Sequence, residues 1–104
     1  MREYDIHIVF VEWDGGGKHR PVLIIEVSQK AVICFGITTQ YKNKSPHIKA
    51  KLIPLNDWQA AGLHKMSYVD VDTKIELALS FIDKKPVGTI SDDDLYRLIE
   101  YLEK

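Results

Sequence analysis

Cysteine is almost missing from these 104 residues, and Cys34 stands alone. A single cysteine excludes an intramolecular disulfide and a cysteine-based zinc site. It lies in the apolar run Val32-Ile33-Cys34-Phe35, which reads as a buried structural thiol. Long apolar runs are also missing: none approaches the ~18 residues of a membrane span. The four histidines (His7, His19, His47, His64) never fall at helical spacing from one another, so no metal site is expected. There is no repeat, low-complexity stretch or linker, and the length suits one domain over 1–104. The opening Met1-Arg2-Glu3-Tyr4-Asp5 mixes both charge signs, unlike a secretory signal, so a cytoplasmic protein without a membrane partner is expected.

What is present is ordinary in amount and uneven in placement. Hydrophobic residues make up 45% and charged residues 28%, a composition that folds rather than staying disordered. Net charge is −1, yet residues 18–51 hold seven Lys/Arg against Glu26 alone. The second half is acidic. A basic block of this kind suits a phosphate-bearing partner, although a solvated lysine loop would look the same.

Hydropathy patterning predicts mainly β structure. Residues 5–13 and 20–28 are rich in β-branched and aromatic residues and read as strands, with 14–19 (Asp14-Gly15-Gly16-Gly17-Lys18-His19) as a glycine loop. Pro21 is expected to start the second strand, because it cannot donate to a ladder. Residues 30–38 form a third strand after a turn near Ser28-Gln29. A polar loop covers 39–46, and 47–55 alternates like a half-buried strand. Residues 57–61 read as one helical turn ended by Gly62, 67–72 as a strand, and 86–90 as a short last strand. Residues 91–103 are the clearest helix. Ser91 is a good N-cap with Asp94 in capping-box position, and Leu95, Leu98, Ile99 and Leu102 form one stripe. Short antiparallel strands avoid open edges by curling into a small barrel, here with a C-terminal helix.

Two side chains stand out chemically. Arg20, one of three arginines, enters the second strand, and Thr38 leaves the third. If these strands form a hairpin, both residues lie at one end, with Lys18, His19, Lys42 and Lys44 on the same rim. Guanidinium, hydroxyl and ammonium groups together suit a phosphodiester. The Gly15-Gly16-Gly17-Lys18 run lacks Walker spacing and reads as a hairpin connection that would order on binding.

The same residues carry a family resemblance. Arg20-Pro21-Val22-Leu23-Ile24-Ile25 resembles the arginine–proline–aliphatic strand of the MazF/PemK-like toxins. Gly36-Ile37-Thr38-Thr39-Gln40 resembles the end of their third strand, and Ala61-Gly62-Leu63 with Ser67-Tyr68-Val69 a stretch of the PemK-like branch. Pro86 to Leu95 resembles their closing strand and acidic-capped helix. The resemblance spans roughly residues 4–102 in order. It implies a small SH3-like antiparallel β-barrel and a type II toxin of a toxin–antitoxin system. It also implies a homodimer that cuts single-stranded RNA without metal or cofactor and is held by a cognate antitoxin. The essential arginine falls on Arg20 and the essential hydroxyl on Thr38. The expected RNA-binding set is Lys18, His19, Thr39, Tyr41, Lys42, Lys44 and Lys49, with Tyr41 and Trp13 as stacking platforms for bases. His19 has the ordinary chemistry of a proton carrier. The first loop is shorter than in many relatives, and Asp72-Thr73 stands where they often carry an amide or carboxylate. The alternative is a non-catalytic binding module on the same barrel, such as a CcdB-like topoisomerase poison. Those proteins carry their poison residues at the C-terminal end, often with a tryptophan. This chain ends Tyr101-Leu102-Glu103-Lys104.

Overall fold

Alternating apolar residues produce six strands among the described residues: β1 (Asp5–Trp13), β2 (Gly16–Val27), β3 (Ala31–Thr38), β4 (Leu52–Leu55), β5 (Ser67–Ala78) and β6 (Gly88–Thr89). A short helical turn, α1 (Pro46–Lys49), precedes β4, and the helix α2 (Asp92–Leu102) closes the chain. The computed structural model describes residues 1–82 and 85–104, with Trp13 in backbone only. Spatial order is β4-β5-β3-β2-β1-β6, and every neighbouring pair is antiparallel. The sheet curls into a half-barrel, the β class with a C-terminal helix that the patterning predicts.

Curling gives the sheet two apolar faces. Ile6, Leu23, Phe35, Ile37, Leu55 and Val69 pack with Leu98 of α2 on one face. Val9, Val22, Ile24, Val32, Cys34 and Ile82 pack on the other. That explains the unbroken apolar stretch 22–25, whose residues alternate between the two clusters. Fully burying one such aliphatic side chain is worth about 1.5–3 kcal/mol.

Several elements differ from expectation. The glycine loop 14–19 is only the two-residue turn Asp14-Gly15, with Trp13 opposite Gly16. Gly15 takes φ +89°, a left-handed value that favours glycine, and from Gly16 onward the chain pairs with β1. Pro21 therefore lies inside β2, paired with Ile8 of β1; pairing with β3 begins at Val22 opposite Gly36. Residues 47–55 are not one strand. Ser45 caps α1 by accepting from the Ile48 N–H at 3.3 Å, and Pro46 supplies the fixed φ of a first helical position. The stretch 75–82, ambiguous by pattern, continues β5 to Ala78 and ends in a 3₁₀ turn over Leu79–Phe81.

Helix α2 is also turned from its expected seat. Ser91 Oγ caps it, accepting from the Asp94 N–H at 3.1 Å. The Asp94 carboxylate does not return to Ser91. It is buried and accepts from the N–H groups of Asn56 (3.1 Å) and Asp57 (2.9 Å) and from the Arg97 guanidinium. Leu95, Leu98 and Tyr101 consequently face the core, while Leu102 is left 45% exposed. Nearby, two backbones meet so closely that only glycine fits. A Cβ on Gly88 would lie 2.1 Å from the Ala61 carbonyl oxygen, and one on Gly62 2.1 Å from that of Val87.

Candidate functional site

The sheet splits at one end, and the split makes a cleft. Strand β2 pairs with β3 only as far as Val22 opposite Gly36. Beyond that point β2 runs on with β1, and β3 runs on with β5. Pro21, with no N–H to give, stands where the β2–β3 ladder stops. The opening is a cleft of about 380 Å³. Its walls include Val11, Pro21, Val22, Ile37 and Ile75, and its polar lining is Arg20, Thr38, Gln40, Lys44, Asp70 and Thr73.

Register decides which side chains enter it. Residues directly opposite in an antiparallel pair share a face. Arg20 is opposite Val9, Gly36 is opposite both Val22 and Asp70, and Thr38 is opposite Tyr68. Arg20, Thr38 and Asp70 therefore share the cleft face. Arg20 is exposed and makes no ion pair or side-chain hydrogen bond among the described residues. Thr38 Oγ1 accepts from the Gln40 N–H at 3.1 Å, which leaves its own O–H free to donate.

Asp70 escapes a reading of the sequence by alternation alone. Strand β5 bulges opposite the Phe35–Gly36 step, where Phe35 pairs with Lys74 but Gly36 with Asp70. The bulge is held by the Asp70 carboxylate, which accepts from the Asp72 N–H (3.0 Å) and the Thr73 hydroxyl (2.7 Å). The signal for it is the local pattern Asp70-x-Asp72-Thr73, a carboxylate able to bond backbone two residues on.

The remaining expected residues divide. Lys44 lines the cleft from the loop after β3, and Lys18 shares Arg20's face, opposite Val11. His19 lies on the opposite face of β2, its ring centroid 5.0 Å from that of Phe10, so strand alternation turns it away from Arg20. Thr39 and Lys42 are exposed and off the cleft. Tyr41 stacks on Tyr68 with ring centroids 4.4 Å apart and planes within 8°. The Lys49 ammonium sits 4.9 Å above the Tyr41 ring. Lys49 and Lys51, which a strand over 47–55 would place on one face, are separated: Lys49 ends α1 and Lys51 pairs with Asp72 at 3.2 Å. The side chain of Trp13 lies outside the described residues.

Cys34 is fully buried, and burial pushes its thiol up to about 11, which keeps it protonated and unreactive. Among the described residues, no group of three or more His, Cys, Asp or Glu gathers as metal ligands. No described helix is long and apolar enough to cross a membrane.

Neither a protein-family model nor a curated protein sequence matches the chain. Solved structures do. The Mycobacterium tuberculosis toxin MazF-mt6 superposes with a TM-score of 0.70 at 23% identity, over 94% of this chain and 91% of that one. An Mtb toxin matches with a TM-score of 0.66 at 19% identity, over 92% and 96%. A mycobacterial endoribonuclease in complex with its cognate antitoxin matches at 0.64 and 12% identity, over 97% and 88%. At these identities the likeness is one of architecture, and it covers nearly the whole chain: this protein has the fold of the MazF toxins.

Proposed function

We propose that the chain is a single-domain toxin of a MazF-type toxin–antitoxin system, an endoribonuclease that cuts single-stranded RNA in the cytoplasm. The observation that carries this reading is the convergence of Arg20, Thr38 and Lys44 on one cleft of a MazF-like fold. The cleft offers a bidentate guanidinium, a free hydroxyl donor and an ammonium, the donors a phosphodiester takes. Asp70, the one carboxylate among the described lining residues, gives such a site a base with which to act rather than merely bind.

In the proposed reaction the ribose 2′-oxygen attacks the adjacent phosphorus. The P–O5′ bond breaks, leaving a 2′,3′-cyclic phosphate and a 5′-OH. No water, metal or cofactor enters the balance. Arg20 and the Thr38 hydroxyl hold the non-bridging oxygens as charge builds on them. Asp70 takes the 2′-proton, and that proton is passed on to the departing 5′-oxygen to give the 5′-OH, a shuttle unsuited to a guanidinium, which does not release its protons. Lys44 and Lys18 draw the strand in, and loss of cleavage at high salt is expected.

The neighbour bound to its cognate antitoxin supports a protein partner of that kind here. A homodimer is proposed on the family resemblance alone. The test is incubation of the purified protein with a long mixed-sequence RNA in EDTA, followed by mapping of fragment ends. Cyclic phosphates at one short motif support the reading. Intact RNA, together with tight binding to a topoisomerase subunit, would overturn it in favour of a poison.

A further inference from the structure

We propose that the outer face of the Tyr41 ring is a nucleobase-stacking subsite beside the cleft, occupied in the free protein by Lys49 as a displaceable cap. The inference rests on the RNA reading above and concerns a different part of the strand's path from the phosphate centre. Tyr68 is opposite Thr38 on the cleft face of β5, so it stands next to the reacting phosphodiester's seat. Tyr41 lies flat on Tyr68, 4.4 Å away and nearly parallel. Its neighbours in the loop, Gln40 and Lys44, both line the cleft. The Lys44 N–H bonds to the Tyr41 carbonyl at 3.0 Å, so the ring and the cleft-lining ammonium belong to one turn. The two rings form a platform, with Tyr68 stacked against one face of Tyr41 and the flexible Lys49 ammonium over the Tyr41 ring, 4.9 Å from the centroid.

The competition at that outer face is uneven. A lysine over an exposed ring shifts an equilibrium by roughly two- to fivefold. A base on an aromatic ring shifts it by roughly five- to a hundredfold, and tolerates any sequence because every base has a π-face. A base therefore displaces the ammonium, which then serves a flanking phosphate. The Tyr41–Tyr68 platform would thus seat one base of the RNA while Arg20 and Thr38 hold the phosphodiester being cut.

The test uses two labelled oligomers of equal length and charge: a short 2′-O-methyl RNA of mixed sequence, which lacks the attacking hydroxyl, and a chain of abasic sugar phosphates. Binding is followed by fluorescence anisotropy. Tyr41→Leu is expected to weaken the RNA about tenfold and leave the abasic chain unchanged, whereas Tyr41→Phe leaves both unchanged. Lys49→Met, which keeps both rings, is expected to tighten the RNA at high salt, where the lost charge matters least. Equal losses on both oligomers in Tyr41→Leu would mean that the ring only positions Lys44, and would overturn the subsite. So would Lys49→Met weakening the RNA at high salt. Arg20→Ala weakens both oligomers if the RNA reading holds. Wild-type protein that binds neither oligomer would overturn that reading and the subsite together.

Discussion

Arg20 and Thr38 face each other across a gap rather than a ladder. Each lies two residues beyond the last β2–β3 pair, Val22 opposite Gly36, and each stays bonded through its strand's outer neighbour. The register that would have joined them instead presents both side chains to the cleft. A hairpin closed to its end would have buried this space. A cleft in a small barrel is here the product of one interrupted ladder.

Asp70 is the proposed base, and Asp70→Asn tests it. The amide retains an acceptor for the bulge but has little basicity. Cleavage is expected to fall about 10²–10⁴-fold while affinity for uncleavable RNA changes little. Single-turnover rates and anisotropy, measured side by side, separate the two effects. Unchanged cleavage would remove Asp70 from the mechanism.

Asp94 is the anchor of α2. Asp94→Ala strands the Asn56 and Asp57 N–H groups and the Arg97 guanidinium, at an expected cost of about 3–5 kcal/mol. The exposed neighbour Asp93 contributes only through the helix dipole, so Asp93→Ala should cost about 0.3–1 kcal/mol. Denaturant midpoints give both numbers. Equal losses would show that the carboxylate acts through charge alone.

Cys34 adds a pH term. Burial raises the thiol from 9.0 to about 11, so the native state keeps a proton that the unfolded chain sheds earlier. Its contribution to stability is whole below pH 9 and disappears as pH rises through 11. The stability difference between wild type and Cys34→Ala should narrow across that window. A constant difference would contradict the burial effect.

The strands were legible in the sequence because alternation and β-branched runs are local signals, and so was the sharing of one end by Arg20 and Thr38. Other features depended on contacts between distant residues. The alternation of His47, Ile48 and Lys49 fits a strand over so few residues, yet Ser45 and Pro46 cap and start a helical turn. By sequence His19 belongs on Arg20's rim because the two are adjacent in the chain, but adjacency in a strand means opposite faces. Asp94 had the spacing of a capping box, and only the fold reveals two N–H groups waiting across the core. Asp70 gained its place from a bulge set by pairing with β3.

The central claim is that the gap between Arg20 and Thr38 is where RNA is cut. The most direct measurement is single-turnover cleavage of one RNA in EDTA by wild type, Arg20→Ala and Thr38→Ala, each first shown to melt like wild type. Neither side chain is in the core, so folding should survive both changes. The account predicts rates about 10²–10³-fold lower in each variant, the usual effect of removing one donor to a developing oxyanion. Full cleavage by both variants would place the chemistry elsewhere and contradict it.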